Sequence, residues 1–153
     1  MKITVTKIEH PGPIAILHLD GTLDGANNEG LNEEAQNPFA DGVRDLILDL
    51  SKLVFISSAG LGALHQVAIL FKGKTRPDPD ESWAAYRWAA YRSMNRDHYR
   101  RLQEYVKLLS PSREVREVLD MIGFSSLFEI YTDFPQAVAS FHKVAPVMET
   151  GLR

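Results

Sequence analysis

The segment from Val43 to Phe71 constrains the fold of this chain more than any other. It opens with the apolar run VRDLILDL at residues 43–50, whose length and composition are typical of a buried strand. The small, hydroxyl-rich tetrad SSAG follows at residues 57–60, and apolar residues then recur at helical spacing as Leu61, Leu64, Val67, Ala68 and Phe71. A buried strand that turns directly into an amphipathic helix indicates an α/β domain.

The start of that helix is also the most informative position for function. Serine is a preferred N-cap residue, and we expect Ser58 to cap the helix and to stabilise it by about 1 kcal/mol. An exposed serine at the positive end of a helix dipole is also well placed to carry a phosphate, whose charge is about −1.5 to −2. Burying that charge in an interface without a compensating cation costs several kcal/mol, so phosphorylation here would release a docked partner.

The rest of the chain continues the alternation of strands and helices. The further predicted elements are strands at 3–8 and 14–19, a helix at 28–37 limited by Pro38, a strand at 105–109, a helix capped by Ser112 and ended by Gly123, a strand at 127–131, and a helix that begins at Asp133. A length of 153 residues predicts one hydrophobic core.

Composition excludes several classes of function. The chain has no cysteine, which rules out thiol catalysis, disulfides and cysteine-ligated metals. None of the five histidines has the spacing of a metal ligand or an obvious acidic partner, and no serine lies in a nucleophile elbow. We therefore predict no catalytic residue, no metal, no cofactor and no enzymatic activity. The net charge of −3 argues against nucleic acid as a partner.

Two apolar regions bear on cellular location. The N-terminal sequence MKITVTKIEH is too polar for an export signal. Residues 53–71 contain no Lys, Arg, Asp or Glu, but Gly60, Gly62 and several polar residues favour a strand, a turn and a helix over a membrane span. We expect a cytoplasmic protein without membrane insertion.

Residues 73–100 interrupt the alternation of strands and helices. The Pro/Asp-rich stretch KTRPDPDES precedes the pentapeptide WAAYR, which occurs at 83–87 and again at 88–92. Because five residues advance a helix by about 500°, the two Trp/Tyr pairs point about 140° apart and cannot both bury against one surface. We predict a helical insert whose side chains pack on the domain, on a second copy of the chain or on a partner, through Trp83, Tyr86, Arg87, Trp88, Tyr91 and Arg92.

Three motifs together resemble a known family. They are GTLD at 21–24, DLSKLVFISSAGLGAL at 49–64, and SREVREVLDMIGFSSLFEIY at 112–131. This pattern is similar to a STAS domain of the bacterial anti-sigma factor antagonist type. The resemblance implies an α/β fold with a mixed sheet of four or five strands and helices packed on one face. It places the STAS domain at 1–145 and a C-terminal tail at 146–153. The helical insert at about 73–100, before the fourth strand, departs from the family, in which this connection is usually short.

The resemblance also implies a partner-switching function. The unphosphorylated protein would bind an ATP-dependent serine kinase that doubles as an anti-sigma factor; phosphorylation would end the complex, and a metal-dependent serine phosphatase would restore it. Ser58 matches the phosphoacceptor of the family. Ser57 stands where many members have aspartate and offers the kinase a second hydroxyl. The implied partner-binding residues are Asp24, Ser57, Ser58, Ala59, Gly60 and Leu61.

A second hypothesis is a STAS scaffold subunit that does not switch. Such a subunit would assemble with itself, as a homodimer through the insert, or with a signalling or transport complex. Light scattering on the protein with and without residues 74–100 separates the two hypotheses, because only a scaffold would lose its oligomer.

Overall fold

Five strands form one mixed sheet in the part of the chain that the structure describes. The computed structural model describes residues 1–9, 12–71 and 105–141. The sheet order is β1-β2-β3-β4-β5, antiparallel between β1 and β2 and parallel elsewhere, which confirms the predicted α/β class. The elements are β1 (Lys2–Ile8), β2 (Ile14–Leu23), α1 (Asn28–Ala40), β3 (Asp45–Ile56), α2 (Ser58–Phe71), β4 (Val106–Leu109), α3 (Arg113–Ile122), a 3-10 turn (Phe124–Ser126), β5 (Glu129–Tyr131) and α4 (Phe134–Ser140).

Local sequence sets the ends of α3, as predicted. The Ser112 hydroxyl accepts a hydrogen bond from the N–H of Val115 at 3.2 Å, and Gly123 ends the helix in the left-handed conformation with φ of 89°. In contrast, α1 continues through Pro38 to Ala40, so the prediction that this proline limits the helix is wrong. Pro38 lies in the last turn, where its missing N–H removes a single hydrogen bond.

The two faces of the sheet carry different layers. On the first face, α1, α2 and α3 enclose the main core, to which β2 and β3 contribute alternate residues such as Leu17 and Leu48. The residues in between, including Ile14 and Ile16, point to the second face and pack against Ala137 of α4. The predicted packing of helices on one face thus holds for α1 to α3. Helix α4 instead covers the part of the second face where Ile14 and Ile16 make the sheet apolar.

Beyond α4, the second face carries a hydrogen-bonded polar group. His18 Nδ1 and Asp49 Oδ2 lie 2.7 Å apart, and the hydroxyl of Thr6 lies 3.0 Å from His18 Nε2. The expectation that no histidine has an acidic partner is therefore wrong. The two residues are 31 positions apart in sequence, and the parallel register of β2 and β3 places them side by side.

This group makes the stability of the protein sensitive to acid. Partial burial acts to raise the pKa of the Asp49 carboxyl, but hydrogen bonds from His18 and Ser51 outweigh burial and hold that pKa below its ordinary value of 3.8. Because the pKa is lower in the folded than in the unfolded state, the carboxylate stabilises the fold above about pH 4, and this stabilisation is lost on further acidification.

We expect Asp49→Asn to cost stability near neutral pH and progressively less in acid. In urea unfolding, the difference in free energy of unfolding between wild type and variant should shrink between about pH 5 and pH 2. A difference that grows toward low pH would contradict the assignment of the ionised form to the folded protein.

Candidate partner-binding site

Helix α2 begins one residue earlier than its sequence suggests. The Ser57 hydroxyl accepts a hydrogen bond from the N–H of Gly60 at 3.2 Å, and the Ser57 N–H donates to the carbonyl of Leu23 in β2 at 3.0 Å. Ser57 therefore caps α2, and the prediction that Ser58 is the N-cap is wrong. The bond to β2 keeps Ser57 outside the helix, so the capping position moves back by one residue.

Ser58 is the first residue of α2, and its side chain is exposed. Its hydroxyl makes no hydrogen bond to another residue of the described ranges and is not needed for capping. The first turn of α2 also contains no acidic side chain that would offset the positive end of the helix dipole. The position can therefore accept an added negative charge without losing an existing interaction.

The turn that follows β2 is held by its own hydrogen bonds. The Asp24 carboxylate accepts from the N–H of Ala26 at 3.0 Å, and the Asn27 carboxamide accepts from the N–H of Asp24 at 2.9 Å while donating to the carbonyl of Thr22 at 2.8 Å. These bonds fix residues 22–27, which we name the Asp24 turn. The half-buried Asp24 is consequently presented in one orientation.

Two glycines bring the Asp24 turn against the start of α2. A Cβ atom on Gly60 would lie 2.6 Å from the Leu23 carbonyl oxygen, so the helix approaches the end of β2 as closely as only glycine permits. A Cβ atom on Gly25 would lie 3.8 Å from the Cβ of Ala59. Asp24 and Ser58, which are far apart in sequence, thus belong to neighbouring segments of one surface.

The six predicted contact residues divide into two groups by exposure. Asp24, Ser57 and Ala59 are half-buried and Ser58 is exposed, so these four reach the surface. Gly60 is buried and Leu61 is only 1% exposed. The prediction that Gly60 and Leu61 contact a partner is corrected, because both lie beneath the surface and hold α2 against the core.

Sequence reasoning missed two apolar residues beside this site. Val54 is 65% exposed and Phe55 is 53% exposed, just before Ser57 in the chain. The register shifts between β2 and β3 at this point, and Val54 is the extra residue of a β-bulge, which breaks the alternation that would bury one of the two. An irregularity of this kind has no signal in the hydrophobic pattern.

The first comparison that bears on identity is with protein families. The STAS domain family matches residues 5–75, a range that contains both the Asp24 turn and the β3-α2 junction. The chain carries a STAS domain. The conclusion agrees with the strand order and the first-face helices described above, and it confirms the resemblance stated from the motifs.

Relatives of this STAS domain extend the comparison over most of the chain. BtrV of Bordetella bronchiseptica, a candidate anti-sigma factor antagonist, is 29% identical over 146 residues, which cover 95% of this chain and 99% of BtrV. A candidate anti-sigma factor antagonist from Thermotoga maritima superposes with a TM-score of 0.62 at 14% identity, covering 92% of this chain and 94% of the other. The protein is homologous to anti-sigma factor antagonists.

A third relative has been solved in a modified state. SpoIIAA, a cell fate determinant of Bacillus, superposes in its phosphorylated form with a TM-score of 0.50 at 16% identity, over 90% of this chain and 96% of SpoIIAA. At this identity the likeness concerns the fold.

The predicted insert residues of the STAS domain lie outside the described ranges, namely Trp83, Tyr86, Arg87, Trp88, Tyr91 and Arg92. Their role in an oligomer or partner contact stays a prediction. Within residues 1–9, 12–71 and 105–141, no helix has the length and apolar character needed to cross a bilayer.

Proposed function

We propose that the protein is a non-enzymatic partner-switching regulator of the anti-sigma factor antagonist type. In its unphosphorylated form it binds an ATP-dependent serine kinase that also acts as an anti-sigma factor. Transfer of phosphate to Ser58 ends the complex, and a metal-dependent serine phosphatase restores the binding form. The observation that carries this proposal is the hydroxyl of Ser58, which is exposed at the first position of α2, next to the Asp24 turn, and makes no hydrogen bond to any residue that the structure describes.

The geometry favours Ser58 over Ser57 as the phosphoacceptor. The Ser57 oxygen accepts the N–H of Gly60, and adding a phosphate there would compete with the cap of α2, which is worth about 1 kcal/mol. The Ser58 hydroxyl does not cap the helix. A phosphate on Ser58 would lie near the positive end of the α2 dipole, which favours a negative group by roughly 0.3–1 kcal/mol.

The same phosphate is incompatible with a bound partner. It brings a charge of about −1.5 to −2 onto a surface that already carries the carboxylate of Asp24. A partner shaped for the neutral hydroxyl and for Asp24 would have to desolvate this charge, at a cost of several kcal/mol. Phosphorylation therefore leaves the protein folded and removes its affinity for the kinase.

The relatives support the class of partner. BtrV and the Thermotoga protein are both described as candidate anti-sigma factor antagonists, and SpoIIAA has been solved in a phosphorylated form. The 29% identity with BtrV extends over 95% of this chain.

The test of the proposal is to identify the modified serine. Affinity capture with the unphosphorylated protein supplies a candidate kinase, which is then purified and incubated with the protein and ATP. We expect mass spectrometry to find one phosphate, on Ser58, and none on the Ser58→Ala variant. Phosphate on Ser57 alone, or transfer to Ser58→Ala at the wild-type rate, would show that the switch is wrongly placed.

The exposed apolar pair beside Ser58 yields a further prediction. If the kinase covers the exposed half of Phe55, this burial contributes about half of the roughly 1.5–3 kcal/mol of a whole side chain, and Phe55→Ser should weaken binding by roughly three- to tenfold. Stability should change little, because Phe55 is already half exposed in the free protein. Met121→Ser is the matched control, since Met121 is 79% exposed on α3, outside the site. Equal calorimetric affinities for wild type and Phe55→Ser would exclude Phe55 from the interface.

A further inference from the structure

In the part of the chain that the structure describes, the half of the second sheet face beyond α4 contains a cavity that the switching surface does not use. Its volume is about 330 Å³, and its walls come from β1, β2 and β3. This volume is at the lower end of the range of about 300–1,000 Å³ found for small-molecule pockets. We name it the open-face cavity. Every lining residue except Leu19 has a polar or charged side chain, so charge and hydrogen bonds are available to hold an occupant.

The polar groups on the floor of the open-face cavity already have hydrogen-bond partners within the protein. Asp49 Oδ2 lies 2.7 Å from His18 Nδ1, Asp49 Oδ1 accepts from the N–H of Ser51 at 3.0 Å, and His18 Nε2 lies 3.0 Å from the Thr6 hydroxyl. Both oxygens of Asp49 and both ring nitrogens of His18 therefore have partners within the protein. These bonds hold the floor in place, and the ionised Asp49 contributes its negative charge to the cavity.

Three charged side chains remain around the cavity. The register places Asp20 opposite Lys2 on β1 and opposite Lys52 on β3. Within the described ranges, none of the three makes an ion pair with another side chain. Among the described residues, two ammonium groups and one carboxylate are thus available to a ligand. With the ionised Asp49 carboxylate on the floor, the lysine and aspartate charges of the cavity sum to zero at neutral pH.

We propose that the open-face cavity binds a small amino dicarboxylic acid. Two carboxylates of such a ligand match Lys2 and Lys52, and its ammonium group matches Asp20 between them. A simple dianion, in contrast, would leave Asp20 facing negative charge. The hydroxyls of Thr4 and Ser51 line the same cavity and add hydrogen-bond partners for the carboxylates.

The test uses L-glutamate as the probe and glutarate, which lacks the amine, as its matched comparison. Binding to the full chain is followed by NMR titration. We expect glutamate to bind with at least tenfold higher affinity than glutarate, and Lys52→Ala to lose at least tenfold. Asp20→Asn should abolish the preference for glutamate. Lys7→Ala is the control for Lys52→Ala, because Lys7 lies on β1 outside the cavity lining and is already paired with Asp41 at 2.9 Å.

Three results would overturn the proposal. The first is no shift with glutamate at about 10 mM, a concentration at which a site of millimolar affinity is mostly occupied. The second is equal binding of glutamate and glutarate, which would indicate a general anion site. The third is an equal loss in Lys7→Ala and Lys52→Ala, which would indicate non-specific attraction. Thermal unfolding of each variant confirms that the variant is folded before it is titrated.

Discussion

Ser58→Asp is expected to lower the affinity for the kinase partner by at least a hundredfold, while Ser58→Ala binds within a few-fold of wild type. A loss of about 3 kcal/mol corresponds to this change, and it is the low end of the cost of burying an uncompensated charge in an interface. Alanine removes the hydroxyl without adding charge, and because Ser57 provides the α2 cap, the helix start stays intact. Isothermal titration calorimetry with the purified kinase measures both affinities.

The control must separate a local effect from the general effect of one more negative charge. Ser126→Asp places the same substitution at another exposed serine, outside the β3-α2 junction. It should bind as wild type does. Equal affinities for Ser58→Ala and Ser58→Asp would contradict the switch and reduce Ser58 to an ordinary first residue of a helix. Equal stabilities of the two Ser58 variants in urea would show that the loss of binding does not come from unfolding.

How far sequence reasoning reached is clearest at the β3-α2 junction. Hydrophobic periodicity predicts a strand followed by a helix, and both are present. It cannot decide between two adjacent serines as the cap, because that choice depends on the Ser57 N–H bonding to Leu23 in a different strand. The predicted strand and helix are therefore confirmed, the predicted cap is off by one residue, and the partner contacts of this segment stay a prediction.

Contacts between strands were beyond the reach of the sequence for a related reason. The pairing of His18 with Asp49 and the grouping of Lys2, Asp20 and Lys52 follow from register, which β-bulges shift twice between β2 and β3. A pattern of alternating residues predicts which positions of one strand lie on the same face. It does not predict which residue of the next strand lies opposite, so the open-face cavity could not be predicted from the sequence.

The buried position of Gly60 leads to the second large effect. Gly60→Ala is expected to destabilise the protein by about 1–3 kcal/mol, because the added Cβ would lie 2.6 Å from the Leu23 carbonyl and 2.9 Å from Ile56 Cγ1. Backbone and core would have to move to relieve these contacts. Since α2 would shift away from the Asp24 turn, affinity for the kinase should fall as well. Urea unfolding gives the first effect and calorimetry the second.

Gly30 supplies a matched control for this substitution. It is the third residue of α1, as Gly60 is the third residue of α2, and a Cβ on Gly30 would meet nothing within 4 Å. Gly30→Ala should therefore show only the gain in helix propensity, which stabilises by up to about 1 kcal/mol. If Gly60→Ala lowers and Gly30→Ala raises the free energy of unfolding, the close approach of α2 to β2, and not the loss of a glycine as such, shapes the site. A stabilising Gly60→Ala would contradict that approach.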